Sequence, residues 1–320
     1  MAGPRLLFST AAFFARPLDD TFRLVASCGY TGVEVMVTRD PASQDPTTMR
    51  KLAAEHGLEI GAIHAPSLLL TRRIWGTDPI GKIERAAEVA ADAGIPTVVT
   101  HPPYRWQRGY RRQLHETLPA VEARTGVTVG IENMFPVHVG SRPLMLHANQ
   151  DLDELEGIPH LVLDTSHAAV AKHDLIDVRR RFGDRLRHVH LSDNAGRGWD
   201  SHLPPGEGVL ALDAFLDDLV ACGYTGAVSL EVDLRRYLTE PKKLSAILMR
   251  MREEVETRLA GLRRTAPYPR AVRRGTAITL IVLFVLLAAA LIAQLRQPAP
   301  TQPYPGPARG NELPSASPSG

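Results

Sequence analysis

The chain has 320 residues, 44% hydrophobic and 22% charged, enough apolar material for one large or two small cores and too much for a chain disordered throughout. With 37 basic and 35 acidic residues the formal net charge is +2, so no global field draws the protein onto nucleic acid, and any anionic partner must be held by a local cluster. Twelve histidines stand against two cysteines, Cys28 and Cys222; no disulfide framework is possible, a reducing compartment fits, and a metal would be held by nitrogen and oxygen rather than thiolate.

The apolar stretch after Arg5 is broken by Arg16, Asp19 and Asp20, so it reads as a first buried strand and not as a secretory signal. Further strands are expected at GVEVM (32–36), EIGAIH (59–64), TVVTH (97–101), VTVGIE (127–132), HLVLD (160–164), LRHVHL (186–191) and AVSLEV (227–232). Helical patterns are expected at 19–27, 47–55, 81–93, 111–123, 152–156, 168–182 and 212–221, with a last helix after Arg235. Strand and helix alternating eight times predict an α/β fold, a (β/α)8 barrel, over residues 1–262. A doubly wound open sheet competes, but no G-x-G-x-x-G follows the first strand. Cys28-Gly-Tyr-Thr-Gly recurs as Cys222-Gly-Tyr-Thr-Gly, each read as a helix end, a glycine turn and the next strand.

The last sixty or so residues change character. TAITLIVLFVLLAAALIAQL, residues 276–295, contains no charge and is long enough to cross a hydrocarbon core of about 30 Å as a helix. It follows a basic linker (263–275) and precedes a Pro-rich tail (296–320) expected to be disordered. Arg258, Arg263, Arg264, Arg270, Arg273 and Arg274 precede the run, and only Arg296 and Arg309 follow it. The expectation is a single-pass membrane protein whose catalytic domain faces the cytoplasm and whose tail emerges outside.

On a barrel frame, catalytic groups sit at the C-terminal strand ends and in the loops after them. His64, His101, Glu132, Asp164, His190 and Glu231 fall at or near such ends, His167 lies three residues beyond Asp164, and Asp200 and His202 lie in the loop after the seventh strand. Nine imidazole or carboxylate groups converging on one mouth would repel or be costly to bury unless a divalent cation neutralised them. A metal site is therefore expected. His188 and His190 are two apart on a strand and share its face, at successive layers of the barrel interior. The basic aromatic run from Tyr104 to Arg112 reads either as a phosphate grip or as a solvated helix start.

The motifs GIENM (130–134), LDTSHA (163–168), HVHLSDN (188–194), DSHLPPGEG (200–208) and SLEV (229–232) resemble the xylose isomerase-like barrel superfamily, which holds sugar isomerases and epimerases together with abasic-site nucleases of the endonuclease IV type. The epimerase branch implies one manganese, magnesium or similar ion on Glu132, Asp164, His190 and Glu231; the nuclease branch implies three zincs, adding His64, His101, His167, Asp200 and His202. The cofactor expected is thus a divalent metal, one to three ions. Ketose 3-epimerases carry an acid/base glutamate six residues after the first metal glutamate, where this chain has His138. The leading expectation is a membrane-tethered, metal-dependent isomerase or epimerase of a sugar or sugar phosphate, with Glu132, Glu231 and His188 as candidate catalytic residues. The alternatives are an endonuclease IV-like multi-zinc phosphodiesterase, against which the anchor and near-neutral charge weigh, and a non-catalytic membrane-bound sugar-binding barrel.

Overall fold

The computed structural model of the chain describes residues 3–67, 71, 73–139 and 142–261. Eight parallel strands close into a barrel: β1 (Arg5–Ser9), β2 (Gly32–Met36), β3 (Glu59–His64), β4 (Thr97–Thr100), β5 (Thr128–Glu132), β8 (Leu161–Asp164), β9 (Leu186–Leu191) and β10 (Ala227–Leu230). Their order round the ring is β1-β10-β9-β8-β5-β4-β3-β2, so the strand expectations hold and the open sheet is excluded. Between β5 and β8 a short antiparallel hairpin of β6 (Val137–Val139) and β7 (Arg142–Leu144) is inserted.

The outer layer consists of α1 (Leu18–Ser27), α2 (Pro46–His56), α3 (Pro79–Ala93), α4 (Arg108–Thr125), α5 (Thr165–Val170), α6 (Leu175–Phe182), α7 (Leu212–Ala221) and α8 (Pro241–Leu259). α2 and α3 start alike: Asp45 or Asp78 accepts a first-turn backbone N–H and the next residue is proline, whose fixed φ suits the first helical position. The repeated Cys-Gly-Tyr-Thr-Gly segment does the same job twice. Gly29 (φ 84°) and Gly223 (φ 73°) turn the chain out of α1 and α7 in a left-handed conformation that a Cβ would strain, and β2 and β10 follow.

Strand alternation explains both core and site. Val33, Val35, Ile63, Val98, Val129, Ile131, Leu161, Leu163, Val189, Leu191, Val228 and Leu230 belong to the large buried cluster shared with the helices. The alternate residues turn into the lumen, where Leu7, Ala62 and Ala227 form a small apolar plug. Register sets what lies above it: Ala227 pairs with His188 and Ser229 with His190 across β10 and β9, and Val162 pairs with His188 and Asp164 with His190 across β8 and β9. Apolar residues therefore occupy the lumen's base and ionisable ones its C-terminal mouth, in successive layers.

Three local expectations are corrected. The helix expected over 168–182 is two helices, because Lys172 adopts φ 62° and Asp174 opens α6 by accepting from the N–H groups of Ile176 and Asp177. The helix expected over 152–156 is only a 3-10 turn, Asp153–Leu155, too short a segment to propagate. The β6–β7 hairpin was not expected at all. Among the described residues no helix is long and apolar enough to cross a membrane; the linker, the apolar run 276–295 and the tail lie outside the described residues.

Candidate active site

The inward phase of six of the eight strands delivers a donor to the mouth. His64, Glu132 and Asp164 end β3, β5 and β8; His101 and Glu231 lie one residue beyond β4 and β10; His190 is the penultimate residue of β9. The Asp164 carboxylate also caps α5, its Oδ1 accepting from the His167 N–H at 2.7 Å, so the three-residue spacing turns the His167 ring back into the site.

All nine residues expected as ligands come together, in three overlapping sets whose donor atoms lie within 4.8 Å of one another: His64, His101 and Glu132; Glu132, Asp164, His190 and Glu231; and Asp164, His167 and His202. Asp200 completes the third, with Oδ2 3.4 Å from His167 Nε2 and 2.8 Å from His202 Nε2. Glu132 links the first two sets, its Oε2 3.1 Å from His101 Nε2 and its Oε1 3.2 Å from His190 Nδ1. His190 Nδ1 also lies 2.7 Å from Glu231 Oε2.

The back of each ring is anchored. Nδ1 of His64 meets the Ala65 carbonyl (3.1 Å), Nδ1 of His101 the Ser67 hydroxyl (3.2 Å), Nδ1 of His167 the Asn133 carbonyl (2.9 Å) and Nδ1 of His202 the Glu231 carbonyl (2.9 Å). Nε2 is left facing the site in each case, and His167 Nδ1 also lies 3.2 Å from Glu132 Oε1. His190 is the reverse: Nε2 faces the Glu34 carboxylate at 3.0 Å and Nδ1 faces the ligand carboxylates. Fixing one nitrogen so that the other presents its lone pair is how proteins orient metal-binding imidazoles.

Charge balance agrees. Burial pushes the Asp164 carboxyl up to about 6, although the imidazoles of His167 and His202 pull the other way. Burial opposes charge at Glu132 as well, but His190 and His167 hold its carboxyl well below the usual range. His202 is raised to about 10, against burial, by Asp200 and Asp164. Asp164 Oδ2 is buried without a hydrogen bond and lies 3.9 Å from both His190 Nδ1 and His202 Nδ1. An orphaned carboxylate oxygen among aimed imidazoles and buried carboxylates fits a divalent cation, which satisfies all of them without protonating any.

Glu34 is the residue that sequence reasoning missed. It is fully buried on β2, beneath His190, and its Oε2 also bonds His188 Nε2 at 2.7 Å. His188 thus lies one layer below the donors, faces Glu34 and does not line the cleft. The available signal was a charge in the middle of GVEVM, a strand buried along its whole length. Asp193, also missed, ties the loop carrying Asp200 and His202: its carboxylate accepts from the N–H groups of Asn194, Gly206, Gly208 and Leu210 at 2.8–3.1 Å. His202 in that loop adopts φ 38°, a strained conformation for a non-glycine residue.

The mouth opens into a cleft of about 920 Å³ lined by the segment from Ala11 to Pro17, by Asp200, Ser201, His202 and Glu231, and by Val232, Asp233, Arg235 and Leu238. The basic aromatic run follows His101, to whose carbonyl the Tyr110 hydroxyl donates at 3.3 Å, and its arginines are engaged: Arg105 and Arg111 both face Glu154, at 3.8 and 3.9 Å, while Trp106 stacks on Tyr104 with centroids 4.6 Å apart. α4 starts within it, at Arg108.

A closed barrel with nitrogen and oxygen donors gathered at its C-terminal mouth defines the class, a (β/α)8 protein with a candidate metal site, and comparison with known proteins gives the family. The chain belongs to the xylose isomerase-like TIM barrel family, which matches residues 22–254. It is 36% identical over 243 residues to an uncharacterised protein of Mycobacterium tuberculosis (strain ATCC 25618 / H37Rv), covering 70% of this chain and 87% of that one. It is 23% identical over 251 residues to a fructoselysine 3-epimerase of Escherichia coli O157:H7, covering 71% and 89%. The solved structure of D-psicose 3-epimerase from Clostridium cellulolyticum H10 with D-tagatose superposes with a TM-score of 0.62 at 15% identity, over 80% of this chain and 99% of that one, a likeness of fold.

Proposed function

We propose that this protein is a divalent-metal-dependent isomerase or epimerase acting on a sugar or sugar phosphate. The observation that carries the reading is the set Glu132, Asp164, His190 and Glu231, two glutamates, an aspartate and a histidine within 4.8 Å, opening through Glu231 onto a cleft with room for a sugar or sugar phosphate. Those four residues would hold the ion, which supplies Lewis-acid stabilisation of negative charge developing on substrate oxygens. The 3-epimerases among the relatives and structural neighbours support a sugar as substrate.

The two glutamates divide the work. Glu132 is fully buried and its oxygens face His64, His101, His167 and His190, so its part would be to hold the ion and not to meet substrate carbon. Glu231 is partly exposed and lines the cleft, which makes it the carboxylate placed to take or return a proton at substrate carbon. Asp200 and His202 share that wall and would orient hydroxyl groups. His188 is then a positioning residue, acting through Glu34 on His190. The hairpin carries His138 on β6, so a second carboxylate of the ketose 3-epimerase kind is absent at that position.

One observation favours a second reading, a multi-zinc phosphodiesterase: the nine donors sort into three sets joined through Glu132 and Asp164. Elemental analysis of the purified protein decides between them. The isomerase reading expects Asp200→Ala with His202→Ala to keep the bound ion and to lose turnover through substrate orientation. Near three zincs per chain, loss of at least one with that pair, and cleavage of an abasic-site duplex without proton exchange into any sugar would overturn it. The apolar run 276–295 supports the further proposal that the barrel is held at a membrane by a single-pass anchor, on its cytoplasmic side.

A further inference from the structure

The cleft that opens on Glu231 shares Phe14, Ala15, Arg16 and Pro17 with a second hollow of about 560 Å³, whose other walls include Thr38, Arg39 and Asp40. The charges of this double cleft are unevenly used. Arg235 is committed to Asp233, with Nε 2.9 and 3.0 Å from its two oxygens. Asp40 is committed to the backbone, accepting from Leu18 N–H at 2.7 Å and Ala42 N–H at 3.1 Å. Arg16 has no carboxylate within ion-pair distance among the described residues; its guanidinium rests over the Phe13 ring, 5.0 Å from the centroid. Arg39, exposed at the far wall, has no such partner either.

We propose that Arg16, with Arg39 behind it, forms a subsite for the phosphate of a sugar phosphate whose sugar end meets Glu231, Asp200 and His202. This rests on the sugar-isomerase reading and narrows its substrate class. Charge sets the orientation: the Glu231 and Asp200 carboxylates repel a phosphate, while Arg16 and Arg39, whose hollow also holds the backbone-bonded Asp40 carboxylate, attract it. A phosphate monoester carries between one and two negative charges at neutral pH, and a planar guanidinium grips two of its oxygens at once. Stacking on Phe13 holds the guanidinium in place without neutralising it. The arginines of the aromatic run offer no equal alternative, because they face Glu154.

Calorimetric titration of the full-length protein with D-fructose, D-fructose 6-phosphate and D-glucuronate tests the assignment. The expected result is that the phosphate ester binds about 30-fold more tightly than the free sugar, the range of a charge-assisted hydrogen-bonded pair. In Arg16→Gln the two should bind alike, Arg16→Lys should keep part of the difference, and Arg39→Gln should lose part of it. Equal affinities in the wild type, no binding of either sugar, an undiminished preference in Arg16→Gln, or a preference for glucuronate over the phosphate would each overturn the subsite. Deuterium uptake from D2O separates this from the broader reading. A phosphate preference abolished by Arg16→Gln with no exchange into either sugar upholds the subsite and sinks the isomerase; exchange with equal affinities does the reverse.

Discussion

Glu34 bonds two imidazoles from one fully buried carboxylate, His188 at 2.7 Å and His190 at 3.0 Å, and so fixes which nitrogen His190 turns toward the ligand set. Glu34→Gln keeps the shape but removes the charge that makes the ring a strong donor. Divalent-ion affinity should fall about 10- to 100-fold, read by competition with a chromophoric chelator, while the circular dichroism spectrum stays native. Unchanged affinity would reduce Glu34 to packing. His147 makes a different prediction. Burial lowers its pKa to about 4, and Nδ1 donates to the Pro102 carbonyl at 2.9 Å. The folded value lies below the unfolded value of 6.5, so the stability tied to the neutral ring is fully present above 6.5 and drains away as the pH falls toward 4. Between pH 7.5 and 4.5 the wild type should lose about 2–3 kcal/mol more than His147→Gln by urea unfolding. Parallel losses in the two proteins would show that the ring titrates normally.

At the scale of elements, the loop from Asp193 to Leu210 carries the greatest constraint. Asp193 accepts four backbone N–H groups and pairs its own N–H and C=O with Leu203 at 2.7 Å, holding His202 at φ 38°. A Cβ at Gly208 would stand 2.3 Å from the Asn194 carbonyl oxygen and from Asp193 Oδ1, both fixed. Gly208→Ala should therefore cost about 1–3 kcal/mol in unfolding free energy and displace Asp200 and His202, lowering turnover by more than that stability loss alone explains. A wild-type melting curve would refute the fixed geometry. The functional value of this loop was legible in DSHLPPGEG, and the strand ends were legible because period-two alternation leaves one polar residue where an apolar run stops, as in LVLD and TVGIE. Glu34 was not: within GVEVM it alternates with valines and reads as an outward-facing charge on a half-exposed strand, whereas closure of the barrel turns that face into the lumen. The β6–β7 hairpin offers only three residues per strand, too few for a period, and the break between α5 and α6 depends on the Asp174 cap, which a helical pattern running through it conceals.

At the scale of the whole molecule, the proposed anchor would have two parts of the chain answer to different solvents. The barrel keeps Glu34, Glu132 and Asp164 fully buried in its lumen, so an ion that binds only the folded chain should stabilise it by linkage. At a free ion concentration about 1,000-fold above Kd the gain is about 4 kcal/mol. For a domain of this size that corresponds to a Tm shift of about 8–16 °C, lost with a chelator and restored by manganese, magnesium or zinc; an unchanged Tm would argue against a buried ion. The apolar run 276–295 carries no charged residue and is long enough to take lipid as its solvent. Its orientation follows from the flanking arginines. Arg258 belongs to α8 and pairs with Asp213 at 2.9 Å and Asp217 at 3.2 Å, but Arg263, Arg264, Arg270, Arg273 and Arg274 remain before the run, against Arg296 and Arg309 after it. The excess is on the barrel side, and translocating it would oppose the usual retention of arginine in the cytoplasm. Alkaline phosphatase fused after Gly320 should therefore be active and green fluorescent protein at the same place dark, because the first folds only after export and the second only before it. A fluorescent fusion with an inactive phosphatase would reverse the orientation, and release of the full chain by alkaline carbonate would remove the anchor altogether.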